Sequence, residues 1–127
     1  WAAMRAARLE PLARRVARGP MHRLPQRIQN AARHCRVEFD WMADCLDAGE
    51  DLPADDLLGL FEGASLSDTE PDSARSLPCI RLFLDNLWDY AGGDLEVFRE
   101  EVRITLLHEL GHYLGLDEDQ VADLGLE

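Results

Sequence analysis

The sequence predicts an α+β fold in which a small sheet of about three strands packs against helices. Three short stretches, residues 35–40, 57–61 and 80–84, show the alternation or the short apolar runs that are typical of strands. Other stretches repeat apolar residues at helical spacing, and the longest, residues 95–114, contains no proline and only one interior glycine. The chain of 127 residues is long enough to bury one core of its own.

The N-terminal part is expected to form short helices. Residues 2–18 have a helical composition, but Pro11 suits the first turn of a second helix better than the middle of one long helix. Gly19 and Pro20 are then expected to end that helix. Residues 24–32 place apolar side chains at helical spacing after an early proline, which predicts a short amphipathic helix.

The three strand candidates are separated by turns and loops. In the first and third candidates, every second residue is apolar and several of the residues between them are charged. This alternation is typical of a strand whose two faces differ in polarity. Their apolar members are Cys35, Val37, Phe39, Ile80, Leu82 and Leu84. The second candidate contains Gly59, which permits a bend. Residues 47–56 are expected to form a loop, and residues 65–76, rich in Ser, Asp, Glu and Pro, a mobile loop.

The long helix near the C-terminus has signals at both ends. Asp94 is a good N-cap for residues 95–114, and Gly115 suits a left-handed helix stop. Asp117 and Gln120, three residues apart, form a capping-box pattern for a short final helix. We therefore predict a long helix, a tight turn and a second helix in close succession.

Charge divides the chain unevenly. The first 36 residues carry nine arginines and one acidic residue, and the remainder carries four arginines and 24 acidic residues. The absence of lysine and the many alanines indicate GC-rich coding and a bacterial origin. Because the acidic body would repel a phosphate backbone, we expect no nucleic-acid partner. The basic head could dock on an anionic partner or on the acidic body of its own fold. It also resembles an organelle transit peptide, but its arginines continue into a segment that we expect to be folded.

We divide the chain into an arginine-rich N-terminal extension, residues 1–23, and a domain, residues 24–127. Three cysteines without a CxxC pair indicate neither a disulfide framework nor a cysteine zinc site, so we expect a cytoplasmic protein. No apolar run approaches the length needed to cross a bilayer, so we expect no membrane partner. We expect a monomer.

The stretch HELGHYLGLDED carries the chemistry. Residues four apart on a helix project from one side, so His108 and His112 can meet a single ion. Glu109 lies about 100° round the helix from His108, near enough to orient a water on that ion. Burying such groups in an apolar stretch is costly unless each has a partner. The HExxH motif therefore predicts a zinc site on the long helix.

A zinc site needs a third ligand, and the candidates are Asp117, Glu118 and Asp119. Asp117 is expected to accept hydrogen bonds from backbone amides of the final helix. Glu118 is then the first helical residue, with its side chain free to point back toward the histidines. We predict that zinc is bound by His108, His112 and Glu118.

Two other interpretations of the histidines remain open. His108 and His112 can instead form a hydrogen-bonded core pair, with the acidic residues merely favouring a helix N-terminus. A second metal site at His22, His34 and Cys35 is less favoured, because their spacing matches no zinc template.

The sequence resembles the minimal zincins, small bacterial metallopeptidase-like proteins. HELGHYLGLDE is similar to their HExxHxxGxxD signature, and LLGLFEG, CIRLFLD, EVRITLLHELGH and DQVADLGLE are similar to other parts of the family pattern. The resemblance covers about residues 24–127. It implies a zincin-like α+β fold, zinc on His108 and His112, Glu109 as catalytic base, and the acid at Glu118 as third ligand. Where the family has an aspartate, this chain has Glu118, whose side chain is one methylene longer.

These observations predict a zinc-dependent metallopeptidase-like protein that hydrolyses peptide or protein substrates. Zinc activates a water, and Glu109 takes its proton and passes it to the leaving amine. A peptidase also needs a donor for the oxyanion, for which Tyr90 and Arg103 are candidates, whereas we expect Tyr113 to be a packing residue. The alternative is a non-catalytic, zinc-stabilised binding or regulatory module on the same fold. In a third interpretation the basic head binds an anionic partner and the motif is incidental.

Overall fold

The structure, a computed structural model, describes residues 2–63 and 77–123. Of some residues in the helices, namely 2–6, 20, 118 and 121, it describes only the backbone. The helices are α1 (Ala2–Arg23), α2 (Gln26–Ala32), α3 (Met42–Asp47), α4 (Leu84–Tyr90), α5 (Leu95–Leu114) and α6 (Glu118–Asp123). The strands are β1 (Arg36–Asp40), β2 (Gly59–Glu62) and β3 (Cys79–Phe83). The fold is α+β, as the sequence predicts. The mobile loop predicted at residues 65–76 lies outside the described residues.

The sheet has the strand order β1-β3-β2. Strand β3 lies in the centre, parallel to β1 and antiparallel to β2. In this register Val37 lies beside Ile80 and Phe61 lies on the other side of Ile80, so one face of the sheet is apolar across all three strands. Every residue of β3 is buried, because helices cover one face and side chains from neighbouring segments cover the other.

The core lies between the sheet and the helices. Helix α5 packs on β2 and β3, and also against α1 and α4. It contributes a fully buried stripe at spacings of four residues: Phe98, Val102, Leu106 and Leu110. The cysteines of the described part are free thiols. Among the described residues, no helix combines the length and the hydrophobicity that crossing a bilayer requires.

Helix α1 corrects one expectation from the sequence. It is a single helix of 22 residues that continues through Pro11 and through Gly19 and the proline that follows it, where we predicted a break and an end. Its buried residues, Leu9, Ala13 and Ala17, recur every four positions and join the core cluster. Their burial against α5 offsets the cost of proline inside a helix. The division into an extension of residues 1–23 and a domain remains a prediction.

Two side chains of α4 hold the preceding segments in place. Asp85 accepts hydrogen bonds from the backbone amides of Met42 at 2.8 Å and Ala43 at 3.1 Å, which are unpaired donors of the first turn of α3. Asn86 donates to the carbonyl oxygens of Asp55 at 3.0 Å and Leu57 at 2.8 Å, just before β2. These contacts join α3 and the loop that follows it to α4.

The face of the sheet opposite α5 carries a buried arginine. We call Arg81 and its four partners, Asp40, Cys45, Glu50 and Glu62, the Arg81 cluster. Nε of Arg81 donates to Asp40 at 2.7 Å, Nη1 donates to Glu50 and to Glu62, and Nη2 donates to Glu50 and to Cys45 Sγ. Hydrogen bonds to Glu50 above all raise the pKa of Arg81, so the guanidinium stays charged although it is buried.

Candidate metal centre

The helix that carries the motif is defined at both ends by local interactions. Asp94 caps it by accepting hydrogen bonds from the amides of Glu96 at 2.9 Å and Val97 at 3.1 Å. At the other end Gly115 has φ 72°, a left-handed conformation that glycine adopts without strain. The motif therefore lies in the last two turns of α5, directly before the chain turns into α6.

The two imidazoles face each other on the surface. His108 and His112 are both exposed, and their Nε2 atoms are 3.2 Å apart. Two nitrogens bound to one tetrahedral zinc ion lie about 3.3 Å apart, since each bond is about 2.05 Å long. The rings are nearly perpendicular, with an angle of 86° between their planes. Their exposure argues against a core pair, and their geometry fits two ligands of one metal ion.

Glu109 completes the group from the buried side of the helix. It is 8% exposed, and one carboxylate oxygen and one nitrogen of each imidazole all lie within 4.8 Å of one another. Burial raises the pKa of the Glu109 carboxyl, whereas the charges of His112 and His108 act in the opposite direction. A carboxylate with a raised pKa, held beside two potential metal ligands, is suited to accept a proton.

Strand β2 approaches this helix at one glycine. A Cβ atom added to Gly59 would lie 2.7 Å from Cγ2 of Thr105 and 3.3 Å from Cγ of Glu109. The strand can reach the helix this closely only because residue 59 has no side chain. The sequence alone indicated a bend at Gly59 but not its contact with Glu109, because the contact joins segments 50 residues apart in the chain.

The acidic residues after Gly115 have separate roles. Asp117 and Gln120 form a reciprocal capping box: the Gln120 amide donates to Asp117 at 2.8 Å, and the Asp117 amide donates to the Gln120 side chain at 2.9 Å. Glu118 is the first residue of α6, which packs against α5. The side chain of Glu118 lies outside the described part of the chain. Its role as third ligand therefore remains a prediction.

Among the side chains that the structure describes, His108, Glu109 and His112 form the only group of three or more potential ligands whose atoms converge, and we call these three residues the metal-binding group. Accordingly, His22, His34 and Cys35 do not form a second metal site.

The candidate donors for an oxyanion are not all available. Tyr113 is buried, and its hydroxyl donates to the carbonyl oxygen of Ala31 at 3.1 Å, so it is a packing residue. Arg103 is paired with Glu100. Tyr90 is exposed at the end of α4.

Comparison with known proteins identifies the family. Among curated proteins, none matches the chain. A family model for zincin-like metallopeptidases matches residues 33–126, a range that contains the whole sheet, α5 and α6. Helices α1 and α2 precede the matched range. Since the match covers most of the chain and the metal-binding group lies within it, the chain belongs to the zincin-like metallopeptidases.

Proposed function

We propose that the protein is a zinc-dependent peptidase, with zinc held by His108, His112 and Glu118. The observation that carries this proposal is the pair of Nε2 atoms 3.2 Å apart beside the buried carboxylate of Glu109. Imidazole and carboxylate are common zinc ligands, and two imidazoles four residues apart on one helix suit a tetrahedral ion.

In this mechanism Glu109 is the base. Bound zinc would supply Lewis-acid polarisation of the scissile carbonyl and of water. Glu109 accepts a proton from the attacking water and then delivers it to the nitrogen of the departing amine. Its burial favours the protonated state that exists between these two transfers. The exposed positions of His108 and His112 leave access for a peptide or protein substrate.

Strand β2 is suited to hold an extended substrate beside Glu109. It is an edge strand of the sheet, and no other strand among the described residues pairs with its outer side. The amide of Phe83 donates to the carbonyl oxygen of Leu58 at 2.9 Å, so from Leu58 onward every second residue of this segment is hydrogen-bonded to β3. The backbone groups of Gly59 and Phe61 therefore point away from β3, where an extended peptide can pair with them.

The second candidate function is a zinc-stabilised binding module without hydrolysis. It is favoured because two polar side chains in or near the motif already form contacts within the protein. Tyr113 is engaged with the carbonyl oxygen of Ala31, and Arg103 is engaged with Glu100. A peptidase has to stabilise the oxyanion of the tetrahedral intermediate with a hydrogen-bond donor. Neither of these two side chains is free to donate to it.

One variant separates the two functions. Glu109→Gln keeps the size of the side chain but removes the base, so zinc content should stay unchanged while peptide turnover falls by about 10²–10⁴-fold. Glu101→Gln on the same helix is the matched control and should retain full turnover. Metal analysis and cleavage of a peptide library measure both quantities.

The outcomes are distinct. Zinc binding without turnover in the wild type would favour the binding module. A wild-type protein that binds no zinc, and whose melting temperature is unchanged by a chelator, would contradict both functions.

A further inference from the structure

A cleft lies between the second half of α1 and the first half of α5, at the other end of α5 from the metal-binding group. Its volume is about 350 Å³, within the range of small-molecule sites. Four arginine residues line it: Arg15, Arg23, Arg99 and Arg103. The whole chain has a net charge of −12 and contains only 13 basic residues, so this concentration of arginine is local.

The positive charge of the cleft is only partly balanced. Glu96 and Glu100 also line it, and Arg103 forms an ion pair with Glu100. Arg15, Arg23 and Arg99 form no ion pair with any described residue. The cleft therefore has an excess of two positive charges. Unpaired arginines close together repel one another, and a bound anion relieves that repulsion.

The cleft also contains a glycine that packing does not explain. Gly19 lies inside α1, where glycine is less favourable than alanine, and it does not have a positive φ. A Cβ atom added there would meet no atom within 4 Å. No neighbour distant in sequence requires glycine at this position, and the only local restriction comes from the proline that follows it. Its absent side chain leaves space in the wall of the cleft, beside Arg15 and Arg23.

We propose that this cleft binds a small phosphorylated ligand. The planar guanidinium groups of Arg15, Arg23 and Arg99 can donate paired hydrogen bonds to phosphate oxygens. Glu96 and the acidic body of the protein disfavour a long polyanion and so restrict binding to a compact ligand. The site is separate from the metal-binding group, so binding does not depend on the proposed peptidase activity.

Inorganic pyrophosphate is the probe for this site. We expect saturable binding of one pyrophosphate per chain in calorimetry at constant ionic strength, accompanied by a rise in melting temperature. Succinate, a dicarboxylate, should bind more weakly; equal binding would overturn the preference for phosphate. A double variant, His108→Ala with His112→Ala, should bind pyrophosphate as the wild type does. Loss of binding in that variant would place the ligand at the metal-binding group and overturn the proposal.

Three variants of α1 locate the site. Arg15→Gln should weaken binding by roughly tenfold. Arg18→Gln, on the same helix but outside the cleft, should leave binding unchanged. Gly19→Leu should fill the cleft and abolish binding, while the free protein still unfolds in one cooperative transition. Equal weakening by Arg15→Gln and Arg18→Gln, or wild-type binding by Gly19→Leu, would overturn the proposal.

Discussion

Two polar clusters lie on opposite sides of the sheet, the Arg81 cluster on the sheet itself and the metal-binding group on α5, and they differ in how their hydrogen bonds are used. In the Arg81 cluster all three guanidinium nitrogens donate to acceptors of the same cluster. In the metal-binding group the two histidine Nε2 atoms face each other, and Glu109 accepts no hydrogen bond from any described residue. The donors of the Arg81 cluster are all satisfied within the protein, whereas the metal-binding group has nitrogen and oxygen atoms available to bind a ligand.

This difference separates a structural cluster from a candidate ligand site, although both contain charged groups close to the same small sheet. A buried charge is tolerated when its partners are supplied by the protein, as they are for Arg81. The imidazoles of His108 and His112 are exposed and project into solvent, so they gain little from the fold itself. Removal of Arg81 from its cluster should therefore change stability, whereas removal of a histidine from the metal-binding group should change metal binding.

The largest expected effect is on metal affinity. His112→Ala removes one of two converging nitrogens, so zinc affinity should fall by more than the ~10–100-fold that loss of a supporting outer-shell residue costs. Because the ring is exposed, the stability of the metal-free protein should hardly change. Competition with a chromophoric chelator measures affinity, and denaturant unfolding measures stability. A metal-free protein that unfolds much more easily would mean that the histidines belong to the core.

Arg81→Ala should show the reverse pattern. It leaves three carboxylates without their common partner and should lower the free energy of unfolding by about 3 kcal/mol, because a buried charge network is broken. A larger loss is not expected, since the side chain of Glu62 is 46% exposed and water can solvate it. Zinc affinity should remain that of the wild type. Arg81→Lys keeps the charge but not the planar set of donors, so its free energy of unfolding should fall less than that of Arg81→Ala.

The loss in Arg81→Ala should also depend on pH. The hydrogen bond from Arg81 lowers the pKa of Glu50 below its ordinary value of 4.5. The stabilisation is therefore present above that value and is lost as Glu50 becomes protonated at lower pH. Unfolding curves of wild type and variant should converge in acid. Parallel curves from neutral to acidic pH would contradict this role for the pair.

The convergence of His108, Glu109 and His112 was predictable from the sequence because its geometry is local. His108 and His112 share one side of a helix whose cap, length and left-handed stop are all encoded within its own segment. The same holds for the capping box of Asp117 and Gln120. Spacing along a helix fixes relative direction, so a motif on a helix can be interpreted without the rest of the fold.

The Arg81 cluster could not be predicted in the same way. Alternation along β3 indicates which side of the sheet Arg81 faces. It does not indicate that the loop after α3 places Glu50 on that side. The continuity of α1 through Pro11 was missed for the same reason: burial against α5, a contact distant in sequence, outweighs the local preference. The Arg81 cluster depends on contacts that no local signal encodes, and in α1 tertiary packing overrides a local signal.

Gly59→Ala should affect both the fold and the metal-binding group moderately. The new Cβ atom would lie 2.7 Å from the Thr105 methyl group, and a β-branched side chain in a helix has little freedom to move. We expect a loss of about 1–3 kcal/mol in unfolding free energy and, through the contact with Glu109, a lower rate of peptide cleavage. Gly19→Ala, whose new Cβ atom would lie within 4 Å of no residue distant in sequence, is the matched control and should change the unfolding free energy by less than about 1 kcal/mol. Wild-type stability for Gly59→Ala would mean that β2 and α5 are not held this closely.

The smallest expected effect concerns the thiol of the Arg81 cluster. Burial first, and then the hydrogen bond and charge of Glu50, raise the pKa of Cys45 above its ordinary value. Glu50→Gln removes the negative charge, so the pKa of Cys45 should fall and its alkylation by iodoacetamide at pH 8 should accelerate about threefold.

Glu62→Gln is the control for this experiment, because Glu62 also accepts a hydrogen bond from Arg81 but does not contribute to the raised pKa of Cys45. Timed alkylation followed by peptide mass spectrometry distinguishes Cys45 from Cys35 and Cys79, whose pKa values are raised to about 11 and which should react most slowly. Equal acceleration in both variants would mean that the cluster opens as a whole when any one carboxylate is lost. A selective effect of Glu50 would mean that the cluster stays closed around the thiol, in contrast to the open group on α5.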